Sequence, residues 1–104
     1  MIIQYRYHQA KTALSDKKLI LKSYPKGIQD KLLNLIKDIL NDPRNLDSAG
    51  KPEELKHKNI PTFSRRLTDN DRIVYEIRPG FDYGMPDEEE IVVFLQYLGH
   101  YEDK

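Results

Sequence analysis

The chain has 104 residues, with hydrophobic residues at 38% and charged residues at 33%. That is the size of one compact domain, 1–104, and ten aromatics (three Phe, seven Tyr) argue against a disordered chain. With no cysteine, disulfide frameworks, Cys-ligated zinc and thiol catalysis are excluded. The longest apolar run, Ile91–Leu95, is far short of the ~20 residues of a membrane span. The first residues lack the basic-then-apolar order of a signal peptide, so a cytoplasmic home is expected. Seventeen bases balance seventeen acids, which argues against bulk electrostatic capture of a polyanion. The distribution is uneven: from Asp82 onward seven acids face one base, a net −6, leaving +6 on residues 1–81. A basic body of that kind offers one face to an anionic polymer, although a solvated surface gives the same pattern.

In chain order the pattern reads β-α-α-β-β-β, an α+β fold of two N-terminal helices on a small, mostly antiparallel sheet. Residues 2–7 (IIQYRY) are a β-prone first strand. Residues 9–22 read as a helix, although Leu19-Ile20-Leu21 would also suit an extended run. Residues 26–41 are a clear helix, because Ile28, Leu32, Leu35, Ile36 and Ile39 recur every three or four positions. Pro25 suits its start, and Asn41-Asp42-Pro43 ends it. Residues 42–52 form a turn-rich connection.

Two strands, 62–68 and 72–78, follow around Asp69-Asn70-Asp71. Phe63 and Leu67 must share the core face with Ile73, Tyr75 and Ile77. A three-residue loop achieves this by pairing Leu67 with Ile73, and predicts a left-handed Asn70 or Asp71. Arg66 and Arg72 then become outward diagonal neighbours, roughly 7–8 Å apart. Two guanidiniums at that spacing can grip one phosphate. The last strand, 90–98, is apolar on both faces and should be central, with helices covering one side. A long, acidic hairpin loop precedes it, and Gly99-His100-Tyr101 follow it near the arginine face.

Three scattered histidines have no metal-ligand spacing, no glycine loop cradles phosphate, and no G-x-S-x-G elbow is present. What remains is Glu53, Lys56, His57, Arg65, Arg66, Arg72, His100 and Tyr101. A carboxylate base, a histidine acid and clustered arginines are the parts that cleave RNA without a metal cofactor. DNA lacks the 2′-hydroxyl and would be left intact. Structural explanations stand beside these: Glu53 as a first-turn acid of a short helix, His100 as a surface residue, Arg65 snorkelling along a sheet edge, and Tyr101 capping the core. The Arg66–Arg72 pair is harder to explain that way, since adjacent like charges are costly without an anion.

GKPEELKH (Gly50–His57), FSRRLTDNDRIVYEI (Phe63–Ile77), GHY (Gly99–Tyr101) and the helix LLNLIKD (Leu32–Asp38) together resemble the Txe/YoeB toxins, RelE-like endoribonucleases of bacterial toxin–antitoxin systems. The resemblance implies a cytoplasmic toxin with the RelE/YoeB-like fold and no cofactor. It implies ribosome-dependent cleavage of mRNA in the A site. By family position Glu53 is the general base, His100 the general acid, and Arg72 the stabiliser of the phosphate transition state. Arg66 and Lys56 fall on positions that contact the scissile phosphate. Tyr101 falls on a substrate-orienting position, and His57 and Arg65 match with less defined roles. The implied partners are a cognate YefM/Phd-like antitoxin, mRNA and the 70S ribosome, with operator DNA reached only through the antitoxin. A homodimer is compatible with it and a membrane is not implied. Departures are the longer acidic hairpin at 80–90, the residues Glu102-Asp103-Lys104 after H-Y, and Phe63 where the family carries tryptophan. Two other readings fit parts of the pattern: a ParE-like gyrase-inhibiting toxin, and a catalytically weakened binding or autoregulatory protein of the same fold.

Overall fold

The computed structural model describes residues 5–56, 58–86 and 89–100. In chain order these form β1 (Arg6–Gln9), α1 (Lys11–Ser23), α2 (Lys26–Asn41), β2 (Glu53–Glu54), β3 (Thr62–Arg66), β4 (Arg72–Pro79), a 3₁₀ turn (Gly80–Tyr83) and β5 (Glu90–Gln96). The five strands make one sheet in the order β1-β5-β4-β3-β2. Only β1 and β5 run parallel; the other three pairings are antiparallel. No helix among the described residues is long and apolar enough to cross a membrane.

The helices begin and end where the local chemistry dictates. α2 starts after Pro25, whose fixed φ and missing N–H suit a helix entrance. Its Leu32, Leu35 and Ile39 stripe is buried, and Pro43 lies just past its end. α1 buries Ala13 and Ile20, two turns apart on one side, while Leu19 and Leu21 remain exposed. The ambiguity of Leu19-Ile20-Leu21 is settled by the helix itself: Ala13 and Ile20, seven positions apart, share its buried face, where a strand's period of two would set them on opposite sides. Both helices contribute to a core with Phe63, Leu67, Ile73, Tyr75, Ile77, Val92 and Phe94 from one face of the sheet. Each such large apolar side chain, once buried, is worth about 1.5–3 kcal/mol.

The first strand lies later than the sequence suggests, at Arg6–Gln9, with residues 1–4 outside the described set. β5 is interior, as its two apolar faces require, lying between β1 and β4. Its Val92 and Phe94 face the helices, while Ile91 and Val93 are buried on the opposite side. Tyr75 and Tyr97 bring their hydroxyls into the interior with partners: Tyr75 donates to the Pro43 carbonyl at 2.8 Å and Tyr97 to Gln9 Oε1 at 2.8 Å. Burial pushes both phenols above their ordinary range, so each stays a neutral donor.

The β3–β4 register departs from the expectation. Arg66 pairs with Arg72 and Arg65 with Ile73, two residues away from the predicted Leu67–Ile73 alignment. Face parity is unchanged, so the core set is unchanged; the turn is what differs. Thr68 Oγ1 donates to Asp71 Oδ2 at 2.7 Å and accepts from Asn70 N–H at 3.1 Å. Leu67 and Thr68 N–H both donate to the Asp71 carbonyl. These side-chain bonds close the turn without a left-handed residue, and neither Asn70 nor Asp71 has positive φ. Glu53, read as a possible helix-start acid, belongs instead to the short edge strand β2.

Glu90, at the start of β5, joins the loop after α2 through a two-pronged pair with Arg44, at 3.0 and 2.9 Å. Those bonds hold the Glu90 carboxyl below its ordinary value against a smaller opposing effect of burial. A depressed carboxyl stabilises the fold above its unfolded value near ~4.3 and loses that contribution as pH falls through the folded value. Both side chains are over two-fifths exposed, so the effect is small. Glu90→Gln should lower the thermal midpoint at pH 7 by about 1–3 °C. In a pH series of melting curves the gap should close below about pH 4.

Candidate active site

The period of two along β3 sends neighbouring arginines to opposite sides of the sheet. Arg65 points to the helices, in the face of Phe63 and Leu67, and is fully buried. Its Nη1 donates to Asp38 Oδ2 on α2 and, at 3.3 Å, to the Ala49 carbonyl. Arg65 is therefore not available to a substrate, and the substrate contact read for it from the sequence is replaced by a structural pairing. Arg66 points the other way and is half-buried.

Around Arg66 the opposite face assembles. Arg66 N–H donates to the Gly50 carbonyl at 2.7 Å, and Arg72 N–H donates to the Gly99 carbonyl at 2.9 Å. Because both amides point away from each other, Arg66 and Arg72 form a non-hydrogen-bonded pair, the closer kind, with Cα atoms roughly 4.5 Å apart. The two guanidinium-bearing residues are thus directly opposed rather than diagonal. Among the described residues, no carboxylate lies within ion-pair distance of either. Arg66 Nε and the hydroxyl of Ser64, on the same face, are buried without a protein partner. Cations and donors gathered without anions are the makings of an anion site.

Glu53 pairs with Ser64, two residues before Arg66 on β3, and so shares this face. Sheet geometry puts its Cα on the diagonal from Arg66, roughly 7–8 Å away. Gly50 makes this approach possible. It has φ +85°, and a Cβ there would meet Leu35 Cδ2 at 3.0 Å and Arg65 Cβ at 3.2 Å. Lys56 is exposed just beyond β2. On the far side His100, also exposed, follows Gly99, whose positive φ of +84° turns the chain back toward Arg72. Read across the strands, the order is Glu53, Arg66, Arg72, His100: a carboxylate at one flank, two cations between, an imidazole at the other.

His57 and Tyr101, both read from sequence as site residues, lie outside the described residues. Among the described residues no cluster of three or more His, Asp or Glu side chains could hold a metal ion. Sequence reasoning missed Ser64, Asp16, Asp71 and Gln96. Asp71 Oδ1 accepts Gly99 N–H at 2.9 Å, and Gln96 Nε2 donates to the Leu98 and Gly99 carbonyls at 2.9 and 3.2 Å. The polar Gln96 in an apolar strand was a signal for such a role. Asp16, 81 residues from Tyr97, had none.

Solved structures with the same architecture include bacterial toxins. The YoeB/ParE toxin from Agrobacterium tumefaciens superposes with a TM-score of 0.73 at 23% identity, covering 92% of this chain and 99% of that one. YoeB from Staphylococcus aureus, at 26% identity over 95% of this chain and 100% of that one, superposes with TM-scores of 0.66 as a dimer and 0.63 in a heterotetrameric YoeB-YefM complex. A family profile, described as a YoeB-like toxin of bacterial type II toxin-antitoxin systems, matches residues 10–101, and the chain belongs to that family. Toxin YoeB of Escherichia coli K12 is 42% identical over 52 residues, which is 50% of this chain and 60% of that protein.

The opposed fates of the two arginines are separable by mutation. Arg65→Ala strands Asp38 and leaves a cavity, and should cost about 2–3 kcal/mol once solvent at Asp38 is allowed for. Arg66→Ala relieves a like-charge contact and should leave the thermal midpoint unchanged or a few degrees higher at low salt. Thermal denaturation of the two variants side by side checks both.

Proposed function

We propose that this toxin is a ribosome-dependent, metal-independent endoribonuclease that cuts mRNA in the A site. The observation that carries the reading is the strand order of the site: Glu53 on one flank of the arginine pair and His100 on the other. Cleavage at a ribose 2′-hydroxyl is an in-line displacement, so the attacking and departing oxygens stand on opposite sides of phosphorus. Glu53 takes the 2′-hydroxyl proton, and the 2′-oxygen attacks the adjacent phosphorus. The P–O5′ bond breaks as His100 gives its proton to the departing oxygen. The products are a 2′,3′-cyclic phosphate and a 5′-hydroxyl. Between the flanks, Arg72 and Arg66 hold the charge that builds on the phosphoryl oxygens, and Lys56 extends the cationic track. In the family pattern Tyr101 orients the substrate and His57 is a substrate-binding position of less defined role; Arg65 has no part.

Glu53, Lys56 and His100 are exposed and have no shelter from water, and the ribosome supplies what the protein lacks by presenting the mRNA already positioned. The S. aureus relative, as a dimer and as a complex with YefM, supports an antitoxin of the YefM kind as partner and a homodimer of the free toxin. An antitoxin segment rich in carboxylates would satisfy Arg66 and Arg72 when RNA is absent.

Primer extension on a defined mRNA, with and without ribosomes stalled at a known codon, tests this. Wild-type protein should create a new 5′ end inside the A-site codon only when ribosomes are present, and a chelator should not abolish it. Glu53→Gln and His100→Gln should each lose ~10²–10⁴ in rate while still binding the antitoxin. Variants within a few-fold of wild type would overturn the assigned roles. No cut in any lane, with inhibition of gyrase supercoiling instead, would favour the ParE-like activity.

A further inference from the structure

The three residues between β5 and His100 are held far more completely than a surface turn requires. Tyr97 and Leu98 donate their N–H groups to Oδ2 of Asp16, on α1, at 3.0 and 3.2 Å. Gly99 donates its N–H to Oδ1 of Asp71 at 2.9 Å. Each backbone N–H of 97–99 therefore ends on a carboxylate oxygen. On the acceptor side, Gln96 Nε2 reaches the Leu98 and Gly99 carbonyls, and Arg72 N–H reaches the Gly99 carbonyl at 2.9 Å. Asp71 is itself fixed, since its other oxygen takes the Thr68 hydroxyl at 2.7 Å.

Gly99 is exposed, so water would satisfy its amide at no cost in stability. Two carboxylates brought this close to a cationic pair would, by charge alone, weaken anion binding there. What they add is geometry. Asp16 sets the height of the chain leaving β5 against α1. Asp71, next to Arg72 in sequence, ties the peptide before His100 to the start of β4. We propose that Asp16 and Asp71 are positioning residues, which hold His100 at a fixed offset from Arg72 so that its imidazole meets the departing oxygen of a phosphate held by the arginine pair. The proposal rests on the nuclease reading above and adds to it the two carboxylates that act through the backbone rather than on the substrate.

The test compares Asp71→Ala, Asp71→Asn, Asp16→Ala and Asp16→Asn by cleavage on stalled ribosomes, with kcat and KM separated. Asparagine keeps a carbonyl oxygen where the N–H groups point; alanine does not. Both alanine variants should lose on the order of 10²-fold in kcat, the effect of a misplacement of about 1 Å, with KM within about twofold. Both asparagine variants should recover to within about tenfold of wild type. On a His100→Ala background, Asp71→Ala should add nothing, because the group it positions is gone. Unchanged kcat in both alanine variants, or a full multiplicative loss on the His100→Ala background, overturns the proposal. Amide hydrogen exchange at Gly99 provides a readout independent of activity: Asp71→Ala should speed it at least tenfold. If wild-type protein cuts nothing, the nuclease reading falls on its own. Gly99 exchange then decides the clamp, with unchanged exchange in Asp71→Ala overturning it.

Discussion

The direct apposition of Arg66 and Arg72 across β3 and β4 is the constraint around which the face opposite the helices is organised. Two like charges in a non-hydrogen-bonded pair repel, and side chains are closer there than anywhere else in an antiparallel ladder. The pair persists because the core holds the register. Phe63 stacks on Tyr75 with ring centroids 5.6 Å apart, and Tyr75 meets Phe94 at 6.1 Å. Sliding β3 by two residues would separate the arginines and keep the face parity, at the expense of that aromatic contact and the Thr68–Asp71 turn. Hydrophobic packing on one side of the sheet thus sustains electrostatic tension on the other.

The same strand shows how one short motif serves both faces. In Ser64-Arg65-Arg66 the middle residue belongs to the interior, where Asp38 and the Ala49 carbonyl receive it, and its two neighbours belong to the opposite face. Gly50 performs a related double duty. Its carbonyl takes the Arg66 amide, and its missing side chain leaves room for Leu35 and Arg65. A motif read as functional from its charges is therefore partly a packing motif, and only the alternation of the strand separates the two uses.

Much of this was legible in the order of residues. Three- and four-residue spacing located α2, and alternation placed Phe63, Leu67, Ile73, Tyr75 and Ile77 on the core face. Glu53, Arg66 and Arg72, three of the named candidates, share one face of the sheet, and His100 follows the Gly99 carbonyl that receives the Arg72 amide. The register was missed because face parity admits any even shift, and the turn that selects one shift is closed by side-chain hydrogen bonds rather than by backbone conformation. Asp16 was missed because its partners lie 81 and 82 residues away, and no local pattern encodes a contact that only the folded sheet creates. β2 was missed because two residues carry no periodicity.

The pairing of β1 with β5 has a kinetic side. β1 pairs with β5, its one strand neighbour among the described residues, and α1 reaches the end of β5 through Asp16. Contacts of such long sequence separation bear the full loop-closure entropy before any of their stabilisation is returned, so they form late. The β3–β4 hairpin, by contrast, closes over a five-residue connection and can form locally. The arginine pair is then in place early, whereas the Asp16 bonds to Tyr97 and Leu98, just before His100, form only when the two ends of the fold meet. A chain caught part-way would hold the arginine pair in place before the residues leading to His100 were fully fixed, so the two flanks of this face are completed at different times as well as in different places.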